Sequence, residues 1–282
     1  MLRHILRIAA LLLLTLAAVA CSTNPATGKM QLNTLSEPQE IQLGTEAQPQ
    51  FIEQSGGLVP DQPLCAYVSN LGSRLAKLSE RPDLPWEFNV LNTDQVNAFA
   101  LPGGKIFITR GLLSRMSNEA QLAGVLGHEI GHVNAEHIGQ QMTRATIISA
   151  GVAILGAATE KDWLVTLGGA TGGIYMLSFS RDQESQADEL GVRYMTKVGY
   201  NPQAQIQVME ILQKAAGGGG ALEIFQTHPN PGNRIKDLQK LIPKDYAYTQ
   251  NNPQFIFNEQ PFQTNVLSRL AKLPPAPKKS SE

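Results

Sequence analysis

His128, Glu129 and His132 stand together in a chain that holds only five histidines. On a helix, four residues make nearly one full turn, so the two imidazoles would project from one side, about one turn apart. Imidazoles so placed can share a tetrahedral zinc ion. Glu129 would lie about 100° from His128 and about 60° from His132, where its carboxylate can reach a water at the metal without being a ligand. Random placement of 5 histidines and 16 glutamates over 282 positions gives about 0.005 such matches, so chance explains the spacing poorly. The chemistry it suits is water activation at a metal. The competing reading is two histidines packed around a salt-bridged glutamate.

A zinc ion open to substrate normally keeps three protein ligands, so one must come from elsewhere in the chain. Glu184 is the candidate, in Arg181-Asp-Gln-Glu184-Ser-Gln-Ala-Asp188. Ser180 and Gln183 form a capping-box pattern that would open a helix, with Glu184 and Asp188 on one face at i, i+4. Two carboxylates at that spacing repel unless a cation or a basic side chain lies between them. Either Glu184 binds zinc while Asp188 hydrogen-bonds a ligand histidine or donates a proton, or the two form a solvated acidic face; the segment alone leaves both open. His137, about 180° around from His128, is expected to stay off the metal as a polar residue near the helix end. His228 alone reads as a turn residue before a helix.

Around these residues the pattern is mainly helical. A helix is expected over 118–138, capped by Ser117 or Asn118, with Leu122, Val125, Leu126 and Ile130 on its apolar side. Others are expected from Ser36 to about Glu53, after Pro63 with Leu64, Tyr67, Val68, Leu71, Leu75 and Leu78 at helical spacing, over 181–198, and over 202–215 before the four glycines at 217–220. Between them, Trp86 to Val90, Val96 to Ala100 and Lys105 to Thr109 read as short strands, the last after a Pro102-Gly103-Gly104 turn. The two apolar stretches 145–158 and 163–179 could form a membrane hairpin, but the first is too short to span and the second is rich in glycine, so helices and a glycine-rich loop packed on the domain are expected, with insertion or partial contact with lipid as the alternatives.

The N-terminus carries an address. Residues 1–20 join Arg3 and Arg7 to an apolar run and a small-residue stretch ending at Ala20, the layout of a secretory signal. The following Cys21 makes it resemble a bacterial lipobox, in which cleavage before the cysteine leaves it to carry the lipid. The alternative is an uncleaved helix spanning the membrane. Residues 21–35 then read as a polar tether, 36–245 as the domain, and 246–282 as an extension, disordered after Leu273. The balance of 23 basic and 24 acidic residues argues against nucleic acid as a partner. Two cysteines exclude a disulfide framework, leaving Cys65 as a lone thiol.

The segments Asn97 to Leu113, His128-Glu129-Ile-Gly-His132, Glu184-x-x-x-Asp188 and His228-Pro-Asn-Pro-Gly-Asn-Arg234 together resemble the HtpX and CAAX-prenyl-endopeptidase family of zinc metallopeptidases. The likeness runs over about residues 30–240 and is greatest to its bacterial periplasmic lipoprotein branch of BepA-like and LoiP-like members. It implies an α+β fold: a mainly helical zincin-type metallopeptidase domain with a small β-sheet beside the HExxH helix. It further implies one zinc ion per chain held by His128, His132 and Glu184, with Glu129 as general base and Asp188 at the position usually assigned as proton donor. The His228 loop would lie near the metal, as a fourth or inhibitory ligand. The helical-repeat region of BepA-like members and the membrane helices of HtpX are missing, so repeat-based substrate delivery and cleavage of prenylated tails are not implied.

The resulting expectation is a zinc endopeptidase, lipid-anchored at Cys21 on the periplasmic face of the outer membrane, cutting unfolded or stalled envelope proteins. The strand ending near Thr109 would offer an unpaired edge for an extended substrate. The alternative is a lipid-anchored chaperone or assembly factor with a latent zinc site.

Overall fold

The computed structural model describes residues 21–154, 178–216, 222–228 and 231–277. The signal segment, most of the glycine-rich stretch, the glycines at 217–220 and the end of the tail lie outside the described residues.

The chain opens with a hairpin, β1 (Cys21–Thr23) paired antiparallel with β2 (Met30–Leu32). Helix α1 (Glu37–Gln54) follows Ser36, whose backbone N–H donates to Gln39 Oε1 at 2.8 Å. Helix α2 (Gln62–Ala76) starts at Asp61, whose carboxylate accepts the Leu64 N–H at 2.9 Å. Leu64, Val68, Leu71 and Leu75 are buried along one face of α2, whereas Leu78 lies past the helix end and is exposed.

Strands β3 (Glu87–Leu91), β4 (Ala98–Leu101) and β5 (Lys105–Thr109) form one sheet in the order β3-β5-β4. This corrects the expected free edge at Thr109. The turn at Gly103 and Gly104, both left-handed with φ of 71° and 91°, folds β5 back along β4, and the parallel β3 takes its other side. β5 is thus the middle strand, buried at all five positions.

A short α3 (Arg110–Leu113) leads to α4 (Glu119–Asn134), which carries the HExxH residues and is buried along its whole length. Packed against sheet and helices on every side, it needs no polar face. Then come α5 (His137–Ile154), α6 (Arg181–Lys197), α7 (Gln203–Ala216), α8 (Ile224–Thr227) and α9 (Pro231–Asp245). A 3-10 turn (Ala247–Thr249), α10 (Glu259–Phe262), a π turn (Gln263–Leu267) and α11 (Ser268–Leu270) complete the described chain.

The expected helix over 118–138 is two helices. α4 stops at Asn134, and Glu136 adopts a left-handed φ of 55° before α5 begins. That conformation costs about 1–2 kcal/mol outside glycine. It is offset by Gln31 and Asn33, whose side-chain amides donate to Glu136 Oε2 at 2.6 and 2.7 Å. The end of α4 is satisfied as well: Asn24 Nδ2 donates to the Asn134 carbonyl at 2.9 Å and Arg81 Nη1 to that of Val133 at 3.1 Å. The same contacts overturn the reading of 21–35 as a loose tether, since its polar residues dock it on the domain. At the other end, Phe262, Val266 and Leu270 enter the main core and Arg110 Nη1 donates to the Pro274 carbonyl at 2.9 Å, so the stretch after residue 245 folds back and chain order persists past Leu273.

Helices α4 and α6 cross with almost no space between backbones. A Cβ on Gly191 would lie 2.9 Å from the backbone nitrogen of His128, and one on Gly127 would lie 3.1 Å from the Gly191 carbonyl oxygen. Gly191→Ala should therefore push α6 off α4, lower stability by about 1–3 kcal/mol and weaken zinc binding by carrying Glu184 away. Denaturant unfolding and a chelator-competition titration check the two effects.

Candidate metal centre

His128 and His132 leave α4 on the same side, and their Nε2 atoms lie 3.0 Å apart. Glu184, in the first turn of α6, sets Oε1 3.4 Å from His132 Nε2 and Oε2 3.7 Å from His128 Nε2. His228, at the end of α8, closes the group with Nδ1 2.9 Å from Glu184 Oε1 and 3.4 Å from His128 Nε2. All four residues are buried, and one donor atom from each lies within 4.8 Å of every other. Tetrahedral zinc with ligand bonds near 2.0–2.1 Å spaces its donors about 3.3 Å apart. Two imidazoles, a carboxylate and a third imidazole at these separations fit such an ion.

His128 and His132 are each held from behind. His128 Nδ1 lies 3.0 Å from Asp188 Oδ1. His132 Nδ1 lies 2.9 Å from His137 Nδ1, whose other ring nitrogen is 3.3 Å from Gln186 Oε1. His137 is thus a fully buried partner of the site, and the expectation of a polar helix-end residue is corrected. Burial, opposed by Gln186, takes its pKa down to about 4, so it stands neutral and can accept the His132 N–H. It comes into range because α4 ends at Asn134 and the chain turns at Glu136.

Arg234, on α9, is the basic partner that the Glu184 and Asp188 pair requires. Its Nη1 lies 2.6 Å from Glu184 Oε2, while Nε and Nη2 meet the two Asp188 oxygens at 2.7 and 2.6 Å. Burial by itself would raise both carboxylic acids. Arg234, with His228 beside Glu184 and His128 beside Asp188, holds them below the usual carboxylate range instead. Glu129 is shifted the other way by its own burial, which outweighs nearby His228 and His128. Its Oε2 has no hydrogen-bond partner among the described residues, and its Oε1 is 3.8 Å from His228 Nε2. Glu129 is therefore an ionisable oxygen left beside the donor cluster.

Phe179 lies over His132 with ring centroids 3.9 Å apart, and its N–H donates to the Thr227 carbonyl at 2.9 Å, tying the entry of α6 to the His228 segment. Sequence reasoning did not find Phe179, His137, Gln186 or the role of Arg234. Only Arg234 had a signal, its place in the motif after His228 together with the acidic pair's need for a cation.

Over 232 residues the chain is 32% identical to the beta-barrel assembly-enhancing protease of Escherichia coli K12, covering 79% of this chain and 47% of that protein. It is 30% identical over 228 residues to the mitochondrial metalloendopeptidase OMA1 of Schizosaccharomyces pombe, covering 78% and 66%. A putative beta-barrel assembly-enhancing protease of Vibrio cholerae is 28% identical over 226 residues, covering 77% and 46%. The chain thus spans about half the length of the two bacterial proteins. The model of peptidase family M48 matches residues 64–242, a span that contains α4, the acidic pair on α6, His228 and Arg234. Set beside a buried donor cluster built from those same elements, the match shows that this chain belongs to peptidase family M48.

Proposed function

We propose that this chain is a zinc-dependent endopeptidase of the bacterial cell envelope, with residues 36–245 as the core of its peptidase domain. One observation carries the reading: a buried Glu129 carboxylate whose Oε2 has no hydrogen-bond partner among the described residues, beside four converging metal donors. His128, His132 and Glu184 are the ligands we assign to zinc. Bound there, zinc supplies the positive charge that makes water acidic and stabilises a tetrahedral oxyanion. Glu129 takes the proton of the attacking water and returns it to the leaving amine nitrogen. Asp188 fixes the ring of His128 and stays ionised against Arg234, so we give it an orienting role in place of proton donation.

His228 acts as a gate. Four protein donors close a zinc site, as structural sites are closed, and a peptidase needs one position open. His228→Ala should accordingly raise casein cleavage several-fold over the parent at equal zinc occupancy; an unchanged rate would remove the gating role. The closed arrangement also favours the second reading, a chaperone or assembly factor with a latent site. Casein cleavage that a chelator abolishes and zinc restores supports the peptidase, whereas full zinc occupancy without cleavage, even in His228→Ala, supports the chaperone.

We assign Cys21 as the lipid-bearing first residue of the mature chain, on the periplasmic face of the outer membrane. The substrates proposed are misfolded or stalled envelope proteins, by analogy with the relatives named for β-barrel assembly.

A further inference from the structure

Strand β2 is inside out for a protein surrounded by water. In β2 the polar Gln31 points inward and is buried, while Met30 and Leu32 point outward, 70% and 37% exposed. A shift of one residue would exchange the two faces. The register is nonetheless pinned, because Gln31 Nε2 donates to Glu136 Oε2 at 2.6 Å and Gln31 Oε1 accepts from Gln140 Nε2 at 3.0 Å. The apolar-out orientation is built in.

On the neighbouring helix α5, Ile147 and Ile148 are 53% and 56% exposed, and they line one surface depression with Met30, Leu32, the cationic Arg144, the acidic Asp182 and several glutamines. The Thr34 N–H donates to Thr143 Oγ1 at 3.0 Å, fastening the segment after the hairpin to α5 so that the two apolar sets form a single face. Among the described residues this face gathers four of the eight large hydrophobic side chains that are exposed. Clustered exposure of this kind marks a contact surface, whereas scattered exposure does not.

The occupant follows from where the chain enters. Residues 1–20 contain an apolar run that directly precedes Cys21 in the sequence, and Cys21 pairs directly with Leu32. Acylated at Cys21 or continued into an uncleaved apolar helix, the chain meets a bilayer at this edge of the hairpin. We infer that Met30, Leu32, Ile147 and Ile148 form a membrane-docking face that lies in the headgroup and acyl boundary, with Arg144 set to meet lipid phosphate. The inference rests on the membrane-attached reading of the N-terminus and adds a defined orientation to it.

The test uses the full chain in a Cys65→Ser background, with an environment-sensitive fluorophore on Met30→Cys, Ile148→Cys or, as control, Tyr248→Cys. Each protein is measured with and without vesicles of phosphatidylethanolamine and phosphatidylglycerol, and the mass of the N-terminal peptide reports acylation of Cys21. The expected result is a blue shift with vesicles at positions 30 and 148 and none at 248. In flotation, the Cys21→Ser chain carrying Met30→Ser and Ile148→Ser should partition about ten-fold more weakly than Cys21→Ser alone. An acylated chain without a shift at 30 and 148 overturns the face and leaves the lipid anchor standing. A shift in a chain without acyl groups overturns the anchor and supports the face. A probe already in apolar surroundings before lipid is added means that protein occupies the face, and overturns the proposal.

Discussion

Glu129→Gln should lower casein hydrolysis by about 10²–10⁴-fold, the range that a positioned general base supplies, while zinc content and melting temperature stay at parental values. The amide matches the carboxylate in shape but cannot take a proton from water. Glu129 is not among the converging donors, and its Oε1 lies 3.8 Å from His228 Nε2, so the exchange leaves His128, His132 and Glu184 in place. The raised affinity of Glu129 for a proton, caused by burial, suits a group that must first accept one and then release it. Rates on casein, paired with metal analysis of the same preparation, decide the matter. Cleavage within ten-fold of the parent would move the base elsewhere, and loss of zinc would make Glu129 part of the metal shell.

Arg234→Ala should have the largest effect on stability. With the histidines neutral, as metal ligands must be, the site holds the carboxylates of Glu129, Glu184 and Asp188 against one guanidinium, and zinc brings the sum to neutral. Without zinc, Arg234 is the guanidinium shared by Glu184 and Asp188, and its removal takes from two buried carboxylates the cation that bridges them. The expected loss is about 3–5 kcal/mol in chelator-treated protein, and it shrinks when zinc is present because the ion takes over part of Glu184's charge. Arg234→Lys recovers only part of the loss, since an ammonium cannot reproduce the fork that meets both Asp188 oxygens and Glu184 together. Denaturant unfolding with and without zinc provides the comparison. Equal losses in the two states would mean that Arg234 and the metal are not coupled.

The local pattern revealed whatever depends on helical spacing. His128 and His132 on one side of α4, and Glu184 and Asp188 on one face of α6, follow from i, i+4 and from caps that lie next to their helices. What decides whether an acidic pair is a solvated face or part of a site is Arg234, which lies 46 residues beyond Asp188 and is brought in by packing. His137 was misplaced because a constant 100° per residue was carried through a point where the helix stops, and that stop is set by Gln31 and Asn33 more than a hundred residues earlier. The stretch from 21 to 35 is polar enough to read as linker, yet its amides are spent on Asn134 and Glu136. Strand order was also hidden, because alternation marks a strand without naming its neighbours.

That docking of the first residues sets a height. With Cys21 acylated, no slack chain lies between the lipid and the fold: the hairpin holds Glu136, and Glu136 sits two residues past the end of the helix that carries His128 and His132. Under that proposed anchor, the cutting plane of the proposed peptidase would stand at one distance from the bilayer, a ruler mounted on the membrane. A polypeptide held at the membrane would pass through that plane, while one free in the compartment would cross it only by chance, so selection would rest on position before any side chain is read.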